Sequence, residues 1–374
     1  MVKKMRLTSI FYSLLFLGIS VSVQAADDTK LTKTISKAYR VPLNVQLEIR
    51  NKYGTITVNT WNKDSVSAKI EITAYGKNQS NVSKELDRVE IEFVNNRDFL
   101  LMETVLDRKS GFFAELWNNI GDYSKNLLSK NQLEVNYTVF IPESADLVIM
   151  NRFGDVFTYG MRGELEATVA HGSFRADVLE QAKLDLSFGS ARIREFKKGS
   201  MNLKAMDAEI SVAGRVDLFS SSSEIRIDEA ELLKIDSQSD KKLTIKSADI
   251  VMGTTRFSNV SMRTINNALD LDMNFGELKM APVSPGFRNI TVKSKSTDIR
   301  IAFDESTYLQ AEIEAKEEFL ILPDNIDVER RYLDDKERYL SIRGHLGRKS
   351  EVPSRLKISS DSGEVWIKFV DPKI

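Results

Sequence analysis

The chain contains no cysteine among its 374 residues. A disulfide framework, thiol catalysis and every cysteine-based metal site are thereby excluded. At this length an apolar core can hold a fold without covalent staples. Histidine is nearly as scarce, with only His171 and His345. A zinc site needs three or four converging ligands, and neither histidine lies in a clustered motif. No Gly-rich phosphate loop, nucleophile elbow or HExxH stretch is present, so no catalytic, cofactor-binding or metal residue is assigned. Basic and acidic residues balance at 53 against 54. They are interspersed without a basic block, which argues against a nucleic-acid partner.

Long apolar runs are also missing, except at the N-terminus. There a basic start, MVKKMR, precedes the apolar stretch LTSIFYSLLFLGISVSV and the small-residue ending VQA at Ala25. These are the three parts of a secretory signal peptide, expected over residues 1–25. The run is shorter than the roughly 20 apolar residues of a membrane span. Loss of Lys3, Lys4 and Arg6 moves the formal charge from −1 to about −4. No cysteine follows the cleavage point, so lipid attachment there is excluded. The mature chain is expected to be exported, to the periplasm or the cell surface, without stable membrane insertion.

What the sequence does contain is repetition. RNKYGTITVNT, around Gly54, is echoed by MNRFGDVFTYG, around Gly154. Further comparable points fall at Gly172, Gly189, Ala208, Ser223, Asp240, Ser258, Gly276 and Thr297, at intervals of 15–21 residues, with an outlying copy at Gly363. Five residues before these points stand apolar residues such as Ile149, Leu184, Leu203, Leu218 and Leu271. Two and four residues after them stand pairs such as Ala191/Ile193, Ile210/Val212, Ile225/Ile227 and Leu278/Met280. Period-two alternation on both sides of a small residue predicts strand, tight corner, strand. The small residue is expected to let the backbone turn. Asp240 is expected to be followed by a bulge at Lys242.

One such unit cannot bury its apolar face alone, whereas stacked units form a continuous core. The expected architecture is all-β: a single-stranded parallel β-helix, or β-solenoid, with coils of about 15–21 residues. Residues 26–58 are read as N-terminal strands and a first coil. Residues 59–140 are read as an insertion or cap with strands and short amphipathic helices. Solenoid repeats follow over 141–315, then a C-terminal hairpin and final coil over 316–374. Within the insertion, SNVSKELDRVEIEF predicts a helix with Val82, Leu86 and Val89 on one face, running into a strand. SGFFAELWNNIGDYSKNLL places Phe113, Leu116, Trp117 and Ile120 at helical spacing. The segment is read first as a cap over the sheet edge, with Phe112, Phe113 and Trp117 the candidate partner contacts if it is a contact surface instead.

The one constellation that suggests chemistry is the acidic residue after each corner, at Asp155, Glu209, Glu224, Glu277, Asp298 and Glu364. Stacked carboxylates are the currency of glycosidases, and Asp155, Glu209 and Glu224 are the candidates for that role. The same face carries Arg175, Arg192, Arg226, Lys279 and Arg300, which fits a solvated ladder of ion pairs instead. A sugar groove would also need aromatic platforms, and the outward columns offer only Phe157 and Trp366, at opposite ends. His171 falls in the column of Phe153 and Phe188, which predicts ring stacking rather than metal binding; His345 is expected in a loop.

LEIRNKYGTITVNTW, NYTVFIPESADLVIMNRFGDVF, LDLSFGSARI and LDLDMNFGELKM together resemble the bacterial putative-adhesin family of exported β-helix domains, common in the Bacteroidetes. The resemblance runs from about Leu43 to Phe369. It implies a parallel β-helix outside the cytoplasm and brings no catalytic residues. Later coils, with Ser or Asp at the corner, depart from the family phrase. The expected function is an exported, non-enzymatic, adhesin-like binding or interaction module of the cell envelope, its partner an envelope protein or a glycan. A β-helix polysaccharide lyase or hydrolase is the first alternative. A structural or regulatory envelope protein linked to signalling is the second, since some family members lie near sigma/anti-sigma regulators.

Overall fold

The computed structural model describes residues 16–20, 29–106, 133–323, 326–349 and 352–371. The chain divides into two compact units, Met1–Gly163 and Glu164–Ile374. Both consist mainly of strands, and most of the long pairings are parallel.

In the first unit the two echoing phrases lie side by side. Strand Gln46–Tyr53 runs parallel to Asp146–Phe153, with Leu47 opposite Leu147 and Tyr53 opposite Phe153. Beyond the corner Ile56–Trp61 runs beside Val156–Tyr159. Each letter of the phrase has a task. The buried Asn151 donates from Nδ2 to the carbonyls of Gly54 (2.9 Å) and Asp155 (3.2 Å). Asn51 does the same for Val135 (2.9 Å) and Tyr53 (3.2 Å). At a corner the backbone leaves its ladder, and a buried carbonyl there needs a donor. The rings of Tyr53 and Phe153 stack at 5.6 Å, with Lys52 and Arg152 over their faces. Gly154 passes so close to Gly54 that an added Cβ would overlap the carbonyl of Gly54.

The excursion between the two phrases returns to the sheet twice. Phe99–Glu103 pairs in parallel with the other side of Gln46–Arg50, and Tyr137–Pro142 pairs with the other side of Ile56–Trp61. Antiparallel strands continue outward from these. Val89–Asn95 flanks Phe99–Leu106, Ser65–Gly76 flanks Leu133–Phe140, and Thr29–Arg40 flanks Ser65–Gly76. The helix expected from SNVSKELDRV is Gln79–Asp87, capped by Asn78, whose Oδ1 accepts from the N–H of Asn81 at 2.9 Å. Val82 and Val89 are buried and Leu86 half-buried. Phe16–Ser20, inside the stretch read as a signal peptide, pairs antiparallel with Thr32–Ser36.

The second unit is more regular than the sequence pattern suggests. Asp207–Ser221 lies parallel to Glu224–Gln238, with Leu218 opposite Ile235 and Ile210 opposite Ile227. That offset of 17 residues recurs in side-chain bonds from Lys183–Glu166 to Asn202–Asp185. It corrects one reference point. The corner lies at Ala205–Met206, not at Ala208, which restores even spacing where the sequence reading had 19 and 15 residues. Ala208 and Ile210 therefore point inward, and Val212, expected inside, is exposed. After Asp240 the offset grows to 18, Ile225 facing Leu243; the extra residue is Lys241, and Lys242, where a bulge was expected, pairs in register with Glu224. The inward columns form the core: Leu218, Ile225, Ile227, Ile235, Leu243 and Leu278 are buried. Each such side chain contributes about 1.5–3 kcal/mol.

From His171 to Ser296 the turning itself is done by the residue before each corner point. His171, Phe188, Ala205, Ser222, Ser239, Phe257, Phe275 and Ser296 all have φ between 50° and 58°. This left-handed region costs an L-residue about 1–2 kcal/mol. At Gly189 the small residue serves close approach, since an added Cβ would overlap the carbonyl of Gly172. Where the next residue is polar, its side chain takes over the corner hydrogen bond. The N–H of Met206 donates to Ser223 Oγ (3.1 Å), that of Ser223 to Asp240 Oδ1 (2.7 Å), and that of Asp240 to Ser258 Oγ (3.1 Å). Ser220 and Ser237 donate their hydroxyls to the other oxygen of the buried Asp240. The polar corners are thus a relay rather than a decay of the repeat.

Near the C-terminus Asp327–Asp334 and Tyr339–Gly347 form the expected hairpin, turning at DKER. The final coil, Ser354–Ser360 and Val365–Val370, is last in sequence but not in space. It pairs in parallel with Asn289–Asp304 on one side and with Tyr308–Lys316 and Leu320–Ile321 on the other.

Candidate functional site

Glu209 and Glu224 do not share a column. Glu209 belongs to the basic column, opposite Arg226, and accepts from Arg192 at 3.2 Å. The residue after the true corner is Asp207, and Glu224 is flanked by Asp207 on one coil and Lys242 on the next. Asp155 belongs to the first unit. The outward face is a ladder of ion pairs between coils, including Arg194–Asp177, Lys197–Glu180 (2.7 Å) and Arg215–Glu231 (2.9 Å). Arg300 reaches Glu277, Glu364 (both 3.1 Å) and Asp298 (3.5 Å). The hydrogen bond from Arg194 holds the Asp177 carboxyl below its usual range. Both groups are water-exposed, so each such pair adds little stability. No cluster of three or more His, Asp or Glu side chains suited to a metal occurs among the described residues.

The corner column offers a different surface. Because the left-handed residue points outward, its side chain stands in water above the coil. His171 stacks on Phe188 at 4.9 Å with the planes 8° apart, as the column predicted. Phe257 and Phe275 stack at 4.7 Å and 1°. Phe257 is 60% exposed and Phe275 42%. Ser239 and Ser296 occupy the next positions of the column, so small residues border the outer faces of this pair. The sequence pattern contained the column but not its exposure, because the rings were read beside the corner glycine instead of on the turning residue. His345, expected in a loop, lies in strand Tyr339–Gly347 and stacks on Tyr308 at 5.2 Å.

Phe112, Phe113 and Trp117, the candidate partner contacts, lie outside the described residues, between Leu106 and Leu133. Trp366 is half-buried beside Lys368, whose Nζ lies 4.5 Å from its ring. Two hollows of about 720 and 690 Å³ open in the second unit around Asn289 and Arg355, remote in sequence from every acidic candidate. Among the described residues no helix is long and apolar enough to cross a membrane.

No family model matches the chain, and no curated protein does. Several solved structures are similar to it, two of which follow. One is a putative cell adhesion protein from Clostridium sporogenes, 12% identical, covering 90% of this chain and all of its own, with a TM-score of 0.20. The other is a putative adhesin from Bacteroides fragilis, 13% identical, covering 72% of this chain and 97% of its own, with a TM-score of 0.30. At such values the function must be argued from this chain's own surface.

Proposed function

We propose that the chain is an exported β-solenoid of the adhesin-like kind, acting without catalysis as a binding module at the cell envelope. The repeating parallel register supports the solenoid reading, and the signal-peptide pattern over residues 1–25 supports export. The observation that carries the binding role is the parallel pair Phe257 and Phe275. Two large rings are held in water, in a backbone conformation that disfavours them, where Ser or Ala serves equally well in neighbouring coils. Exposed apolar rings of this kind carry binding energy rather than fold stability.

The test is the double substitution Phe257→Ser and Phe275→Ser in the full chain. Its melting temperature should stay within a few degrees of the parent, while retention of the protein by an envelope fraction falls at least tenfold. Unchanged retention would remove the rings from the binding role. Turnover of a polysaccharide by the purified protein would favour the lyase or hydrolase instead. The stretch around Phe112, Phe113 and Trp117 remains a second proposed contact, to be probed by Phe113→Ser with Trp117→Ser.

A further inference from the structure

The two hollows around Asn289 and Arg355 follow from the interposed final coil. Strand Ser354–Ser360 lies between Asn289–Asp304 and Tyr308–Lys316, which places Arg355 directly between Asn289 and Gln310. His345 on the next strand faces Gln310. Four outward positions, with the exposed Asp327 beyond His345, therefore form a row across adjacent strands, spaced about 4.8 Å apart. The first hollow is lined by Arg288, Asn289, Tyr308 and Arg355, the second by Asn289, Gln310, His345 and Arg355.

The row differs from the ladder found elsewhere on this unit. Arg194, Arg215 and Arg300 each hold a carboxylate, whereas Arg288 and Arg355 hold none among the described residues, and the amides of Asn289 and Gln310 are also unpartnered there. The neighbouring row is already neutralised. Glu312 binds Arg343 at 2.8 Å and Lys357 at 3.2 Å. The surface is thus rich in hydrogen-bond donors, with Arg288 and Arg355 at one end of the row, Asp327 at the other, and a ring stack, Tyr308 on His345, at its border.

We propose that this row binds a carboxylate-bearing glycan. The guanidinium fork of Arg355 matches a sugar carboxylate bidentately. The flanking amides pair with sugar hydroxyls, and the Tyr308–His345 stack meets the C–H face of a ring. Two free arginines suit spaced carboxylates better than the dense charge of a polyphosphate, which argues for an acidic oligosaccharide over a nucleic acid. The row spans several strands, so the ligand is a short oligomer rather than a single sugar. This site is built from other residues than the Phe257–Phe275 pair and stands or falls apart from it.

The experiment is calorimetric titration of the full chain with a panel of galacturonate, glucuronate and sialate oligosaccharides, beside methyl-esterified galacturonate and poly-L-glutamate. At least one acidic oligosaccharide should bind, with affinity falling as salt rises and dropping at least tenfold on esterification. Arg355→Gln should weaken it at least tenfold, and Asn289→Ala with Gln310→Ala several-fold. Arg226→Gln, an exposed change on another coil, should leave it unaltered. The proposal is overturned if no acidic oligosaccharide binds, if poly-L-glutamate binds as tightly, or if binding survives Arg355→Gln. Glycan binding that persists when Phe257 and Phe275 are replaced by serine supports the independence of this site from the ring pair.

Discussion

In Met1–Gly163 a corner is made from an asparagine, a basic residue, a ring and a glycine. In Glu164–Ile374 the corners from His171 to Thr297 are made from a left-handed residue followed by a glycine, a serine, an aspartate or, once each, a methionine and a threonine. Both arrangements answer the same difficulty, a buried backbone group stranded where the ladder turns. The first unit supplies a donor, the side-chain amide of Asn51 or Asn151, to a stranded carbonyl. The second supplies an acceptor, the side-chain oxygen of Ser223, Asp240 or Ser258, to a stranded N–H. The difference teaches that a repeat can conserve a hydrogen bond while exchanging the residue, and even the polarity, that makes it.

The comparison can be broken most severely from inside the apolar core of the second unit. Ile225→Asp places a charge in the apolar interior without a partner, which costs several kcal/mol. Urea titration should show no cooperative native transition, and a normal transition would reverse the assignment of inward columns. A smaller break separates the two kinds of corner. Asp240→Ala orphans the N–H of Ser223 and should cost about 2 kcal/mol, with Asp240→Asn recovering part because an acceptor remains. Asn151→Ala should cost about 1 kcal/mol, since an under-bonded carbonyl is tolerated better than an orphaned N–H. Equal losses in denaturant midpoints would erase that distinction. Ala205→Gly sharpens the comparison in the opposite direction. It relieves a left-handed backbone and should raise stability by about 1 kcal/mol. Glu224→Ala, on the outward ladder, should change stability by only about 0–1 kcal/mol.

Much of this fold was legible because the alternation of apolar residues is strict. Leu218, Ile225 and Ile227 each announced an inward position, and the hairpin around DKER announced itself by alternation on both sides of a polar turn. The pattern failed at Ala208 for a physical reason. With Met206 at the corner and alanine two residues later, the small residue sat where the core accepts one, and counting small residues chose the wrong position. Left-handed phenylalanine was not legible, since a ring is a poor choice for that backbone and no propensity argument would place it there. The row around Arg355 was hidden by topology. Asn289 and Arg355 are far apart in sequence, and only the interposed strand makes them neighbours.

That interposition has a consequence for the order of events as the chain is made. Asn289–Asp304 and Tyr308–Lys316 are synthesised, and on the export reading delivered, before the strand that joins them exists. Until Ser354–Val370 arrives, both wait with an open parallel edge, and loop closure must precede any gain from the new pairs. For a chain that folds as it is delivered, the last pairing is an insertion between two waiting neighbours, not an addition to a growing stack. A chain halted before residue 354 would present two matched, unfilled edges, the state in which strand exchange between molecules is easiest.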